Sequence, residues 1–296
     1  MNYKSLSADT AGYFLTNRIH VFLMPALLTL FWNLDAGLAL PFEYYLMISC
    51  TTAGGYIYNM YTDEVEDAIN YTARYRLFGR HGTATKAAVF GFFFMGFLLS
   101  LPAGWRFVLY GGVVNFLGSL YSRPLRFGVR KQTFRIKEIP VLKNLYAGIF
   151  WSAALVLTPY IYVGRQPGPL ALLTILISFG LNYFVELMWD LRDMRGDRRA
   201  GVRTVPLLIG EPATCWILRT VHVAACLMML WGARSGLLLE TKTLVTFALY
   251  LPLGLIFLEC YRKLPDKTWA SHMYILCAGV VILIGMVSQA MSTKGV

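Results

Sequence analysis

The chain has 296 residues, 57% of them hydrophobic, with a mean hydropathy of +0.53 and a formal net charge of +11. Too few polar residues remain to cover a soluble domain, and the apolar residues fall in long runs rather than short periodic stripes, so the composition points to membrane spans. The basic residues collect in loops between those runs, which argues against an exposed nucleic-acid-binding face.

In chain order, residues 1–20 are polar and mixed, with no cleavable signal peptide, and the first apolar stretch reads as a retained span. Nine spans are expected, at about 19–34, 42–60, 86–102, 105–121, 144–163, 168–190, 212–231, 242–260 and 272–290, each of bilayer-crossing length. They must be helical, because no other open structure satisfies its backbone in lipid. The expected fold is an all-α integral membrane protein, with nine transmembrane helices in one bundle around a central cavity and residues 1–296 as a single domain. Cys50, Cys215, Cys226, Cys260 and Cys277 lie in or beside apolar segments without a CxxC pair, which argues against disulfides and zinc. The N-terminus and the loops after even-numbered spans carry 21 of the 27 Lys and Arg residues. This asymmetry places them in the cytoplasm.

The few carboxylates cluster. Asn59, Asp63 and Asp67 close the second span at spacing i, i+4, i+8, on nearly one helical face. Like charges in such a row repel, and acidic groups near a helix C-terminus oppose the helix dipole, unless a cation lies over them. Asp190, Asp193 and Asp197 close the sixth span at i, i+3, i+7, with Glu186 one turn deeper. Both rows leave the membrane on the same side. Two oxygen-rich rows facing one cavity suit Mg²⁺. For either row alone, solvated loop charges paired with nearby arginines explain the pattern equally well. His20, His222 and His272 are placed at span ends, in packing roles, and His81 in a loop, so no histidine is assigned as a base.

At these residues the sequence resembles the UbiA superfamily of intramembrane prenyltransferases. Asn59, Asp63 and Asp67 match its NxxxDxxxD motif. The run from Asp190 through Asp193, Asp197, Gly201 and Thr204 to Pro206 matches its second, DxxDxxxD-containing motif. Tyr121, Ser122, Pro124 and Arg126 resemble its YSxPPxR segment. Asn70 and Arg74 keep the register of a segment that commonly follows the first motif, but both of its prolines are missing, and Arg130 or Lys131 stands near where a lysine is usual.

The resemblance implies a prenyl diphosphate donor with its head group at the cytoplasmic mouth. Mg²⁺ would be held by Asn59, Asp63, Asp67, Asp190, Asp193 and Asp197, the five aspartates being the catalytic set. Asn59, Arg74, Tyr121, Ser122, Arg126, Arg130 and Lys131 would meet the diphosphate. Tyr56, Tyr58, Tyr61, Tyr183, Phe184 and Trp189 are aromatics that can shield an allylic cation or simply pack. The expected activity is transfer of a prenyl group to an unknown acceptor, with an aromatic ring or a quinone precursor as candidates, with the lipid bilayer as the other partner and no nucleic acid. A terpene cyclase on the same scaffold is the alternative. A transporter is disfavoured because no acidic relay reaches the other face.

Overall fold

The computed structural model describes residues 19–62, 82–123, 125–127, 132–264 and 267–294. Among these residues the chain forms nine long helices, of 16 to 32 residues: α1 (Ile19–Ala36), α2 (Phe42–Thr62), α3 (Gly82–Ser100), α4 (Trp105–Leu120), α5 (Leu142–Val163), α6 (Pro169–Ala200), α8 (Glu211–Arg234), α9 (Glu240–Lys263) and α10 (Lys267–Lys294). A single short turn, α7 (Val205–Ile209), joins α6 to α8. Six of the long helices (α3, α5, α6, α8, α9 and α10) are long and apolar enough to cross a bilayer by length and composition. The other three, α1, α2 and α4, are shorter or carry more Thr, Gly and Tyr.

Two features depart from the expected outline. Outside the apolar runs, β1 (Leu125–Phe127) and β2 (Gln132–Phe134) pair antiparallel, with Arg126 opposite Thr133. Aromatic and β-branched residues favour such a ribbon where no bilayer imposes a helix. The sixth helix also does not stop near residue 190 but continues to Ala200. The aspartate row therefore lies on continuous helix rather than at its end. Its stop signal is Gly201, in the left-handed region at φ +73°, which lets Val202 N–H reach the Asp197 carbonyl at 2.9 Å and Gly201 N–H reach that of Arg198. This pattern closes a helix through a glycine without steric cost.

The helices pack as a ring. Contacts run α1–α2, α2–α3, α5–α6, α6–α8, α8–α9 and α9–α10, and α10 returns to α1. The most deeply buried side chains, among them Phe184, Leu187, Met188, Leu218 and Leu258, fill the α6–α8–α9 side. In lipid such helices are held by close packing rather than by exclusion of water. Gly254 gives one such close approach. A Cβ there would lie 2.2 Å from Nε2 of His222, so only glycine leaves a slot for that ring. His222 is thus buried in the middle of α8, not at a span end as expected, and its Nε2 bonds the Leu251 carbonyl at 3.2 Å. His20 does stand at the start of α1, and His272, in the second turn of α10, lies 3.1 Å from it. α4 is the outlier: it touches α3 and α5 sparsely, and only Phe107 among its residues is buried. The space between α2, α3, α4 and α5 is left as a cavity.

Candidate functional site

That cavity has a volume of about 770 Å³. Its charged side chains gather at one end. At one end α2 contributes Asn59, the turn after α4 contributes Tyr121 and Ser122, and α6 contributes Glu186, Asp190, Asp193 and Asp197. Lys137 and Lys143 line the same end. The remainder is walled mainly by apolar and aromatic residues of α2 to α5. Six of the residues assigned from sequence to the metal or the diphosphate therefore share one chamber: Asn59, Tyr121, Ser122, Asp190, Asp193 and Asp197. Asp63, Asp67, Arg74, Arg130 and Lys131 lie outside the described residues. Arg126 belongs to β1, but its side chain lies outside the described part.

The local architecture explains how these groups meet. Ser122 Oγ donates to Asn59 Oδ1, tying the end of α4 to the last turns of α2. Arg135 Nη1 donates to the Thr62 carbonyl at 3.2 Å, while Glu138 holds the Arg135 Nε and backbone N–H at 2.6 and 2.8 Å. Lys137 N–H bonds the Tyr121 carbonyl at 3.2 Å. The segment after the ribbon is thereby stitched to the C-terminal end of α2, and it brings the buried Lys137 to the cavity.

On α6, Asp190 is 2% exposed and both its oxygens are engaged. Lys143 Nζ donates to one at 2.5 Å and Asn144 Nδ2 to the other at 2.9 Å. One turn later, Arg192 grips both oxygens of Asp193, at 2.9 and 2.8 Å, and reaches Ser271 on α10 at 3.3 Å. The Arg192 guanidinium also stands 5.5 Å from the Trp189 ring. The pairing with basic residues that the sequence left open is thus present for Asp190 and Asp193, inside the cavity wall rather than on a solvated loop.

Lys143, Asn144, Lys137 and Arg192 were missed as site residues. From sequence, the three cations count only towards sidedness. Lys143 meets Asp190 across 47 positions, which no local pattern reveals. The one available signal was that Lys143 and Asn144 open an apolar helix, where a buried polar pair needs a partner. Of the aromatic candidates, Tyr56, Tyr58 and Trp189 line the cavity, whereas Phe184 is fully buried in the core beside His222. The Tyr61 side chain lies outside the described residues. Tyr56 is stacked on Trp151 at 5.8 Å, which adds Trp151 to the wall.

The donor set fits Mg²⁺ in kind: three carboxylates and the Asn59 amide oxygen are hard oxygen ligands. Among the described residues, no three His, Cys, Asp or Glu side chains converge enough to hold an ion by themselves.

The sequence matches the UbiA prenyltransferase family over residues 13–288. The chain belongs to that family. A digeranylgeranylglyceryl phosphate synthase from Pyrococcus horikoshii is 28% identical over 172 residues; the match covers 56% of this chain, which spans about half the length of that curated relative. Among solved structures, the apo UbiA homolog from Aeropyrum pernix K1 superimposes with a TM-score of 0.71 at 15% identity, covering 91% of this chain and 98% of that one. A UbiA homolog from Archaeoglobus fulgidus bound to GPP and Mg²⁺ gives a TM-score of 0.58 at 14% identity, covering 91% and 99%. These likenesses establish the helical bundle, and with the apolar helices they make the UbiA-family chain an integral, multi-pass membrane protein.

Proposed function

We propose that this chain is a Mg²⁺-dependent prenyltransferase that moves a prenyl group from a prenyl diphosphate to an acceptor. One observation carries the reading: a single cavity with acidic, basic and amide groups at one end and an apolar passage beyond. That division matches a molecule with a charged head and a hydrocarbon tail. The reaction breaks the allylic C–O bond, and the diphosphate departs with the electron pair. The allylic carbon then bonds to the acceptor's nucleophile, which loses its proton. When bound, Mg²⁺ supplies positive charge against the oxygens on which negative charge accumulates. Asn59, Asp63, Asp67, Asp190, Asp193 and Asp197 are the residues that would hold it.

The chain's own cations act on the same charge. Lys143 and Lys137 face the polar end, and Arg74, Arg126, Arg130 and Lys131 are assigned to the diphosphate as well; donors already in place at the developing charge lower the barrier. The Asn144 and Lys143 bonds hold Asp190 as an oriented carboxylate. Tyr56, Trp151 and Trp189 keep water from the cation and present ring faces to it. The polar end of the cavity is placed in the cytoplasm, supported by the concentration of basic residues there.

The P. horikoshii relative's name points to a glyceryl phosphate bearing a prenyl chain as the first acceptor to try, ahead of aromatic and quinone precursors. The test is a single incubation: purified protein in detergent, Mg²⁺, and radiolabelled prenyl diphosphates with and without each acceptor. A prenylated acceptor that forms only when both are present supports the reading. Label released as a cyclic hydrocarbon without acceptor would replace it with a cyclase, and label left as intact diphosphate under every condition would refute it.

A further inference from the structure

Glu186 is the one acidic residue of α6 with no part so far in holding metal or diphosphate. It stands four positions before Asp190, hence on the same helical face and about 6 Å farther from the motif end at 1.5 Å per residue. With the diphosphate held at the level of Asp190, Glu186 lies on its hydrocarbon side, where the reacting carbon would be. The residue is partly buried and lines the cavity. It also lines a second, smaller chamber of about 100 Å³, walled mainly by α1, α6, α9 and α10. Three other residues border both spaces: Tyr56, Trp151 and Trp189. Tyr56 stacks on Trp151 at 5.8 Å and meets Trp189 edge-on at 6.3 Å. A carboxylate thus sits within the same aromatic partition that is assigned to shield the allylic cation. Carboxylates inside a span are costly to keep and mark function by default.

We propose that Glu186 is the catalytic base that takes the proton of a hydroxyl acceptor. The assignment rests on the transferase reading above and adds to it the group that receives the proton. The allylic C–O bond breaks and the diphosphate keeps its electron pair. The acceptor oxygen gives a lone pair to the allylic carbon, and its O–H proton passes to a Glu186 carboxylate oxygen. An alcohol becomes strongly acidic as its oxygen bonds to that carbon, so a carboxylate is basic enough. The other described groups along the cavity are poorer acceptors. None is a histidine, and phenols and ammonium groups ordinarily keep their protons up to about pH 10. Asp190 has both oxygens bonded, by Lys143 and Asn144, and Asp193 has both bonded by Arg192. Asp197 lies eleven positions from Glu186, about 16 Å along the helix. The charge of Glu186 also favours the allylic cation as it forms.

Glu186→Gln tests the assignment, since it keeps the shape and removes the base. In the full-length protein, with Mg²⁺, a prenyl diphosphate and the glyceryl phosphate acceptor suggested above, its turnover should fall by about a hundredfold or more. The donor's KM, and the affinity for a non-ionising thiolodiphosphate analogue of it, should stay at wild-type values. Glu186→Ala should lose as much and regain about tenfold when formate is added, a small carboxylate that fits where the side chain was removed. Wild type should not respond to formate, and loss of packing alone gives no such recovery. Wild-type turnover in Glu186→Gln would overturn the proposal and leave the transferase standing. A loss of donor affinity as large as the loss of turnover would overturn it too, by making Glu186 part of the metal and diphosphate site. A wild-type protein that prenylates no acceptor would remove the transferase reading, and this assignment with it.

Discussion

Two lysine–aspartate pairs stand at opposite ends of the bundle. At the motif end, Lys143 and Asp190 lie 2.5 Å apart, and Lys143 keeps 16% of its side chain exposed to the cavity. At the other end, Lys242 pairs with Asp35, and both side chains are 0% exposed. Lys242 also donates to the Phe31 carbonyl at 2.7 Å and lies 3.7 Å from the Phe31 ring centroid, while Asp35 accepts from Leu239 N–H at 2.8 Å. The chemistry is the same and the surroundings are not. Lys242 and Asp35 have spent every direction on the protein itself, locking the end of α1 to the start of α9. Lys143 and Asp190 keep a face towards an open chamber. A buried charge pair therefore serves packing or chemistry according to what it still faces, and its residue types alone do not decide.

The largest separation of the two ends comes from removing the divalent cation. EDTA is expected to reduce prenyl transfer to background, with Mg²⁺ restoring it, while thermal unfolding in detergent shifts little because the sealed pair needs no ion. Persistent turnover in EDTA would remove metal from the site. Asp190→Ala comes next: turnover should fall by about a hundredfold or more. Its effect on the melting midpoint should be small, since Lys143 retains access to the cavity. Asp35→Ala should do the reverse. It strands Lys242 in a dry interior, which costs about 3–5 kcal/mol, and leaves the turnover of the folded fraction unchanged. Equal effects of the two variants on both readouts would erase the distinction. A smaller effect is expected for Lys143→Met, about tenfold, mainly in the donor's KM if its charge meets the diphosphate. An unchanged donor KM would confine Lys143 to orienting Asp190.

The same comparison shows what sequence carries. The Asp190, Asp193 and Asp197 face was legible because spacing i, i+3, i+7 is a property of one helix, and the long apolar runs marked the helices themselves. Lys242 looked like one basic residue on the sparsely charged side, and Lys143 like one more on the crowded side. Nothing near Lys242 in sequence announces Asp35, 207 positions away. The sixth helix ran past its expected end because hydropathy marks where lipid stops, whereas Gly201 marks where the helix stops. His222 was misplaced for a related reason: the slot that holds it is made by Gly254, on another helix. The aromatic cluster of Tyr44, Phe107 and Tyr162 was invisible too, since its members come from three separate helices.

The smallest expected effect concerns the sealed pair when both charges are removed together. In Asp35→Asn with Lys242→Met, no charge is left in the interior. The new side-chain amide would keep an oxygen for Leu239 N–H, and a methionine of similar length would fill the lysine channel between Phe31 and Trp32. The Phe31 carbonyl loses a donor but stays within the last turns of α1, where a backbone N–H four residues on can serve it. Replacing a buried ion pair by groups of similar volume is often close to neutral, whereas breaking it is not. The double variant should therefore lie within about 1–2 kcal/mol of wild type, well above either single variant in melting midpoint, with prenyl transfer unchanged. A double variant as unstable as Asp35→Ala would mean that the pair supplies net stability in itself. Recovery to near wild type would mean that its two charges mainly neutralise one another.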